Sequence, residues 1–391
     1  MLFSRFERTD QSPKRWGESS FAWLDRSARP EVEILRNQLE EWVNTYPDEE
    51  VDDLVGRFRS SADSQHEGAL FELLLHELLM SLNCSLELHP EVDGTEARPD
   101  FLVTDSNGRQ FFLEATICMD RSAADVAAEN RLADLRDGLD RISDQRFLFD
   151  LRWEGVPEQP VSARRIRDEV ERDLRDLDHA DVRERFEAVG WHSLPEWNYQ
   201  FGEFRIRLIA IPRPPHRLGH ERAQAVGMSS GGARMLATGQ SIRDAIQRKA
   251  GGYGELSLPF VVAVNVLGEY PPDMIDVWNA LLGREAVEVR LYDDGSTQED
   301  LTRLPDGVWA GPDGPIYTRL SAVLAGMPLR PWNLHSAGVH LIPNPWAARP
   351  YDGALERLPR WVAQDGNFEP VDGTSVGSLL DLPDGWPKVG T

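Results

Sequence analysis

The sequence predicts a mixed α/β protein: one elaborated domain whose sheet core follows an N-terminal helical extension and is interrupted by a large insertion. Three observations carry this expectation. A strongly apolar helical segment at 64–82 leads directly into three strand-like runs at 85–89, 100–104 and 110–118. The last two runs flank Asp105-Ser106-Asn107-Gly108, a tight-turn signal. Much later, 257–266 (SLPFVVAVNV) is a continuous apolar run, as expected of a strand covered on both faces.

The elements follow in order. Residues 1–29 are polar and aromatic-dotted and read as irregular. Residues 31–46 form an amphipathic helix with Val32, Ile34, Leu35, Leu39, Trp42 and Val43 in one stripe, and 48–58 a second helix. In the third, at 64–82, Leu70, Phe71, Leu73, Leu74, Leu75, Leu78, Leu79 and Leu82 leave few polar faces before Asn83 stops it. After the three strands, helices are expected at 123–142, 162–177 (behind a Ser cap) and 181–189, with a strand at 147–153. Residues 197–211 read as a strand or hairpin, and the Gly- and Ser-rich 227–239 as a loop. A helix at 241–250 stops at Gly251-Gly252, and 257–266, 272–282 and 287–292 follow as strand, helix and strand. The Pro- and Gly-punctuated tail carries strands at 317–325 and 339–342. The expected organisation is a helical extension (1–60), the first half of the core (61–118), an insertion (119–240), the second half of the core (241–300) and a C-terminal region packed on it (301–391).

Composition narrows the function. The 391 residues, 41% of them hydrophobic, are enough for a sizeable core. No apolar run reaches the ~18 residues of a membrane span, and the start has no continuous apolar signal region. Two cysteines, Cys84 and Cys118, imply no disulfide framework and fit a reducing cytoplasm. The net charge of −24 argues against non-specific adhesion to nucleic acid. It leaves room for a local basic cleft, or for a protein partner that supplies basic surface.

Three carboxylates in the helix–strand–strand–strand block point to chemistry. Asp100 enters one strand of the hairpin, Glu114 lies in the other, and Glu72 sits in a helix so apolar that an unpaired charge there would be expensive to bury. Hard divalent cations, Mg²⁺ or Mn²⁺, take oxygen ligands. Asp100, Glu114 and the Ala115 carbonyl make a workable set, with Glu72 assisting through water. Taken singly, an Asp after Pro99 is an ordinary strand entry and Glu114 an ordinary surface charge; Glu67 and Glu77 compete with Glu72.

Phe71 to Leu79, Arg98-Pro99-Asp100-Phe101-Leu102 and Phe112-Leu113-Glu114-Ala115-Thr116 together resemble the PD-(D/E)-x-K restriction-endonuclease-like nuclease superfamily. The resemblance covers about fifty residues, 67–116. It implies an α-β-β-β-α-β core, with Asp100, Glu114 and Glu72 as metal-binding and catalytic residues and DNA as substrate, and it associates the chain with defence against foreign DNA. The remaining core helix and strand would be 241–253 and 257–266. The sequence departs from the motif where its Lys should stand: Thr116 occupies that position. A displaced cation is available. Only three lysines occur, Lys14, Lys249 and Lys388, and Lys249 alone is mid-chain, at the end of the 241–250 helix. Lys, unlike Arg, shifts its pKa readily and can share a proton with water, so Lys249 is the candidate replacement; its ordinary role would be a helix C-terminal cation. Gln247, Tyr253, Arg243 and Thr116 are candidate substrate contacts, and Arg234 and Arg248 could extend a phosphate track. His66, His76 and His89 read as structural. The alternative to a Mg²⁺-dependent endonuclease is a catalytically decayed module of the same fold that binds a protein or nucleic-acid partner; a small-substrate hydrolase has no feature of its own.

Overall fold

The computed structural model describes all residues except 93–94, 120–122, 219–223, 232–237, 255, 269–271, 293–295, 365–366 and 388–391. The chain forms two compact units, one of Met1–Asp10, Ser20–Asp120 and Leu236–Thr391, the other of Gln11–Ser19 and Arg121–Met235. The first unit opens with helices α1 (Ser20–Arg26), α2 (Pro30–Val43), α3 (Val51–Phe58) and α4 (Asp63–Ser81), followed by strands β1 (Ser85–Leu88), β2 (Phe101–Thr104) and β3 (Gln110–Cys118). The second unit supplies α5 (Ala123–Leu139), β4 (Phe147–Glu154), α6 (Ala163–Arg175), α7 (His179–Val189), β5 (Glu196–Phe201), β6 (Phe204–Pro212) and β7 (Val226–Gly231). The chain then returns to the first unit with α8 (Thr238–Ala250), β8 (Phe260–Val266), α9 (Met274–Leu282), β9 (Glu285–Leu291) and β10 (Thr297–Arg303). Two short strands, β11 (Ala310–Gly311) and β12 (Gly314–Pro315), precede β13 (Ala322–Met327), β14 (Gly338–Pro343), β15 (Arg360–Gln364), β16 (Asn367–Val371) and α10 (Val376–Leu379).

The first unit is built on a mixed eight-stranded sheet in the order β1-β2-β3-β8-β13-β14-β15-β16. The meander β1-β2-β3 is antiparallel, and β8 lies parallel to both β3 and β13. A parallel neighbour needs a crossover, and here α8 leads directly into β8. Strand alternation assigns the two faces. Phe101, Val103, Phe111, Leu113, Val261 and Ala263 join the core that contains the leucines of α4. Phe112, Cys118, Phe260, Val262 and Val264 join the core that contains Ile242, Ala245 and Ile246 of α8. The sequence 260–266 is buried at every position, as a strand covered on both faces requires.

The second unit has its own sheet, β5-β6-β4-β7, and its own core of Leu135, Phe147, Phe149, Leu151, Ile166, Val170 and Leu208. Ser162 caps α6 as expected, accepting a hydrogen bond from Arg165 N.

Several expectations need correction. Part of 1–29, read as irregular, is helical: α1 buries Leu24, and Leu2 and Phe3 are also buried in the first core. Tertiary burial stabilises a helix too short to signal itself in the sequence. The segment 227–239, expected as a loop, begins with β7, which runs parallel to β4; strand pairing overrides its poor β propensity. Strands β15 and β16 were not expected, and β13 to β16 extend the central sheet itself. Of the tail tryptophans, Trp309 is fully buried and Trp361 packs edge-on to Trp278, whereas Trp332 and Trp346 are exposed.

Candidate active site

The hairpin register brings the two carboxylates together. Phe101 pairs with Leu113 and Leu102 with Phe112, so one residue further Asp100 stands opposite Glu114. Both lie on the face shared by Leu102 and Phe112, the face covered by α8. Directly opposed side chains are about 5 Å apart at Cβ, and like charges there repel. Hydrogen bonds tie the pair across the ladder end: Ala115 N donates to Asp100 Oδ2 at 2.6 Å, and Asp100 N donates to Glu114 Oε2 at 3.2 Å.

The cation comes from α8. Lys249 Nζ lies 2.5 Å from Glu114 Oε1. Glu114 is buried, while the Lys249 side chain remains one-third exposed, at 34%. The helix ends immediately afterwards, where Gly251 N and Gly252 N bond back to the carbonyls of Gln247 and Lys249. The turn carries Tyr253 back under the sheet face, where its ring packs edge-on to Phe260. The Tyr253 hydroxyl reaches Glu114 Oε2 at 2.6 Å, with the Arg98 carbonyl at 3.1 Å. Both oxygens of Glu114 are therefore engaged. Asp100 Oδ1 accepts no hydrogen bond among the described residues.

Glu72 faces a different set. Tyr46 donates to its Oε1 at 2.6 Å and Arg57 to its Oε2 at 2.8 Å. The partner that a buried carboxylate demands is thus Arg57 on α3, backed by Tyr46 in the turn that follows α2. Glu72 stands close enough for its charge to be felt at Asp100. Its competitors are placed elsewhere: Glu67 pairs with Arg330 at 3.3 Å, and Glu77 accepts from Thr45 at 2.6 Å.

The electrostatics follow from this geometry. Burial and then the Glu114 charge push the Asp100 carboxyl from its ordinary 3.8 up to about 7; the Ala115 N–H bond and the Lys249 charge offset part of the rise, and Glu72 adds to it. Burial and the adjacent Glu114 raise the Tyr253 hydroxyl well above its usual value, so it remains a donor. Burial and Glu72 do the same to Tyr46. Burial alone would lower the Arg57 guanidinium, but its bonds to Glu72 and Asp53 raise it overall.

The structure therefore brings Asp100, Glu114, Lys249 and Tyr253 into one cluster, with Glu72 in an adjoining one. Thr116 is buried two residues beyond Glu114 on the same strand face. Gln247 is half-buried on α8. Arg243 is placed away from the carboxylates, six residues or about 9 Å up the helix axis, and is bound to Asp306. Arg248 is exposed, and Arg234 lies outside the described residues. His66 is held by the Phe58 carbonyl and His76 by Glu77. Sequence reasoning missed Tyr46 and Arg57. The buried Glu72 signalled that a partner was needed, but only the packing of α3 on α4 identifies it.

Among the described residues no group of three or more His, Cys, Asp or Glu side chains is placed to hold a metal ion. A divalent cation at this site would thus have Asp100 and Glu114 as its side-chain ligands and water for the rest, an arrangement Mg²⁺ tolerates. The donor chemistry fits as far as ligand type goes: both groups offer hard oxygens, and burial, with the Glu114 charge second, raises the Asp100 carboxyl to about 7, so an ion there would compete with a proton. No protein-family model, no curated protein and no solved structure matches this chain. No described helix is long and apolar enough to cross a membrane.

Proposed function

We propose that the chain is a metal-dependent nuclease of the PD-(D/E)-x-K type, with Asp100 and Glu114 as metal ligands and Lys249 in the role of the motif lysine that Thr116 does not fill. The observation that carries this reading is the Lys249 ammonium 2.5 Å from Glu114. The succession α4-β1-β2-β3, then α8-β8 with β8 parallel to β3, supports the fold assignment. A bound Mg²⁺ or Mn²⁺ would polarise the scissile phosphate and lower the pKa of a coordinated water.

The residues of the chain supply the rest. Tyr253 and Lys249 fix the orientation of Glu114 by holding one oxygen each. Asp100 keeps Oδ2 on the Ala115 amide, which leaves Oδ1 as its donor to an ion. Lys249 sits on a partly exposed stem at the mouth of the site, where its ammonium can orient an attacking water by donating a hydrogen bond to it. The Arg57–Tyr46–Glu72 group acts through Asp100, by charge, as a positioning cluster. DNA is the proposed substrate, and defence against foreign DNA the proposed setting.

The test is cleavage of linear, plasmid and single-stranded DNA, and of RNA, with Mg²⁺ or Mn²⁺. The wild type should cut at least one of these, and Asp100→Asn, Glu114→Gln and Lys249→Met should each lower the rate by about 100-fold or more. Metal-stimulated cutting that survives in both carboxylate variants sinks the proposal. One observation favours a second reading, a decayed binding module: every Glu114 and Glu72 oxygen already has a protein partner. Absence of cleavage on every substrate, with one stoichiometric partner copurifying, would select it.

A further inference from the structure

The ribbon formed by β9 and β10 is a two-stranded antiparallel sheet of its own, outside the eight-stranded sheet. Val287 pairs with Leu301, Val289 with Glu299 and Leu291 with Thr297, so Val287, Val289, Leu291 and Leu301 share one face. Each of the four is more than half exposed. An isolated two-stranded hairpin with an uncovered apolar face is marginal in water, and a hairpin edge offers backbone groups with which a second strand can pair; at the start of β9 the Glu285 N–H already donates to Asn279 Oδ1 at 3.3 Å.

The β9 edge has a register in which it complements itself. Tyr292 N bonds to Ser296 O, and Leu304 N to Arg284 O, at the two ends of the ladder. Antiparallel alternation between those ends turns the N–H and C=O groups of 286, 288 and 290 toward β10 and those of 285, 287, 289 and 291 outward. In an antiparallel pair of two β9 strands centred on Val289, Val289 meets Val289 and Val287 meets Leu291, all through outward-facing backbone groups. On the opposite face of the same register, Glu288 of each copy meets Arg290 of the other. Centring on Glu288 or Arg290 instead opposes like charges, and centring on Val287 sets Arg284 against Arg290. On β10, centring on Glu299 or Asp300 opposes like charges. Centring on Leu301 needs Arg303, which is already bound to the Gly283 carbonyl at 2.7 Å and to Glu285 at 2.8 Å.

We infer that β9 is a homodimerisation edge: two copies pair antiparallel about Val289 to make a continuous four-stranded sheet β10-β9-β9-β10. The apolar side chains of the two ribbons then form one strip, with Leu301, Val287 and the second copy's Leu291 in adjacent rows. Two Glu288–Arg290 pairs close the other face. In the single chain Arg290 bonds to its own Glu288 at 3.0 Å and lies 3.8 Å from Asp300. Those pairs are exposed and contribute little, so exchanging them across the dimer is easily offset by the new ladder and the covered apolar edge.

The test is the solution mass of the full chain at physiological ionic strength, by sedimentation or light scattering. The wild type should show twice the monomer mass. Glu288→Arg and Arg290→Glu should each be monomeric with unchanged circular dichroism, because both side chains are solvent-exposed. The double variant Glu288→Arg/Arg290→Glu restores unlike pairs and should dimerise again. An equimolar mixture of the two single variants should form a heterodimer that neither forms alone. A monomeric wild type, a dimer that survives both single substitutions, or singles that fail to recombine would each overturn the inference.

Discussion

The Asp100→Asn substitution should stabilise the folded chain at neutral and higher pH while removing a carboxylate on which the proposed cleavage depends. Asp100 rises from 3.8 in its ordinary state to about 7 in the fold, because it is buried and faces Glu114. Between those values the folded state holds a proton that the unfolded chain has lost, so wild-type stability falls as pH rises from about 4 to about 7 and is level above that. At about 1.4 kcal/mol per pH unit the full penalty is on the order of 4 kcal/mol, an upper limit because local relaxation reduces it. Asn keeps an oxygen to accept the Ala115 N–H and carries no charge. The stability gap between variant and wild type should therefore be near zero at about pH 4, about 1–2 kcal/mol at about pH 5, and up to about 4 kcal/mol at about pH 8. Urea denaturation of both proteins at the three pH values measures it, with equal m-values as the check that only stability has changed. A gap no wider at the highest pH than at the intermediate one, or a variant less stable than wild type at the highest, would refute the electrostatic account of the site.

Further outcomes follow from the same geometry. Mn²⁺ binding, followed calorimetrically, should weaken by about tenfold per pH unit below about 7, because a proton on Asp100 competes with the ion; affinity independent of pH between about 5 and 7 would contradict this. Tyr253→Phe should lower stability by about 1–3 kcal/mol through loss of the hydrogen bond to buried Glu114, and a loss under about 0.5 kcal/mol in thermal or urea unfolding would show that bond to be unimportant. Arg57→Met leaves Glu72 buried without its cation and should destabilise by about 2–4 kcal/mol, whereas Arg57→Met/Glu72→Gln should recover most of that; equal losses in the single and double variants would rule out charge stranding as the cause.

Where hydrophobic pattern and turn chemistry act locally, the sequence was legible. The dense apolar content of α4, the Asn107-Gly108 turn and the uninterrupted run of β8 each carry their own signal. So does the opposition of Asp100 and Glu114, because a short turn fixes the hairpin register and the register fixes the pair. What depends on distant chain was not legible. The short α1, the glycine-rich β7 and the paired strands β15 and β16 are stabilised by neighbours more than by their own residues. Arg57 on α3 and Tyr46 in the turn after α2 belong to segments whose sequences say nothing about Glu72; the partnership exists only once those segments pack against α4.

Lys249 shows why a motif position and a place in space are different things. A lysine at position 116 would leave β3 from the face that carries Glu114, about 7 Å further along the strand, and would have to bend back toward the carboxylate. α8 covers that same face, and its last turn ends over the hairpin. A lysine there meets Glu114 from the layer above, with its side chain still one-third exposed. The helix C-terminus favours a cation at that point, and the Gly251-Gly252 stop lets Tyr253 follow it in and bind the second oxygen. Thr116 can then remain a buried strand residue. The positive charge is supplied from α8 without a long basic side chain inside the sheet, and the ion pair also fastens α8 to the strand that bears the carboxylate. Charge removal at Lys249 should therefore loosen the end of α8 as well as the site, whereas the same change at Arg248, exposed on the next residue, should leave both unchanged.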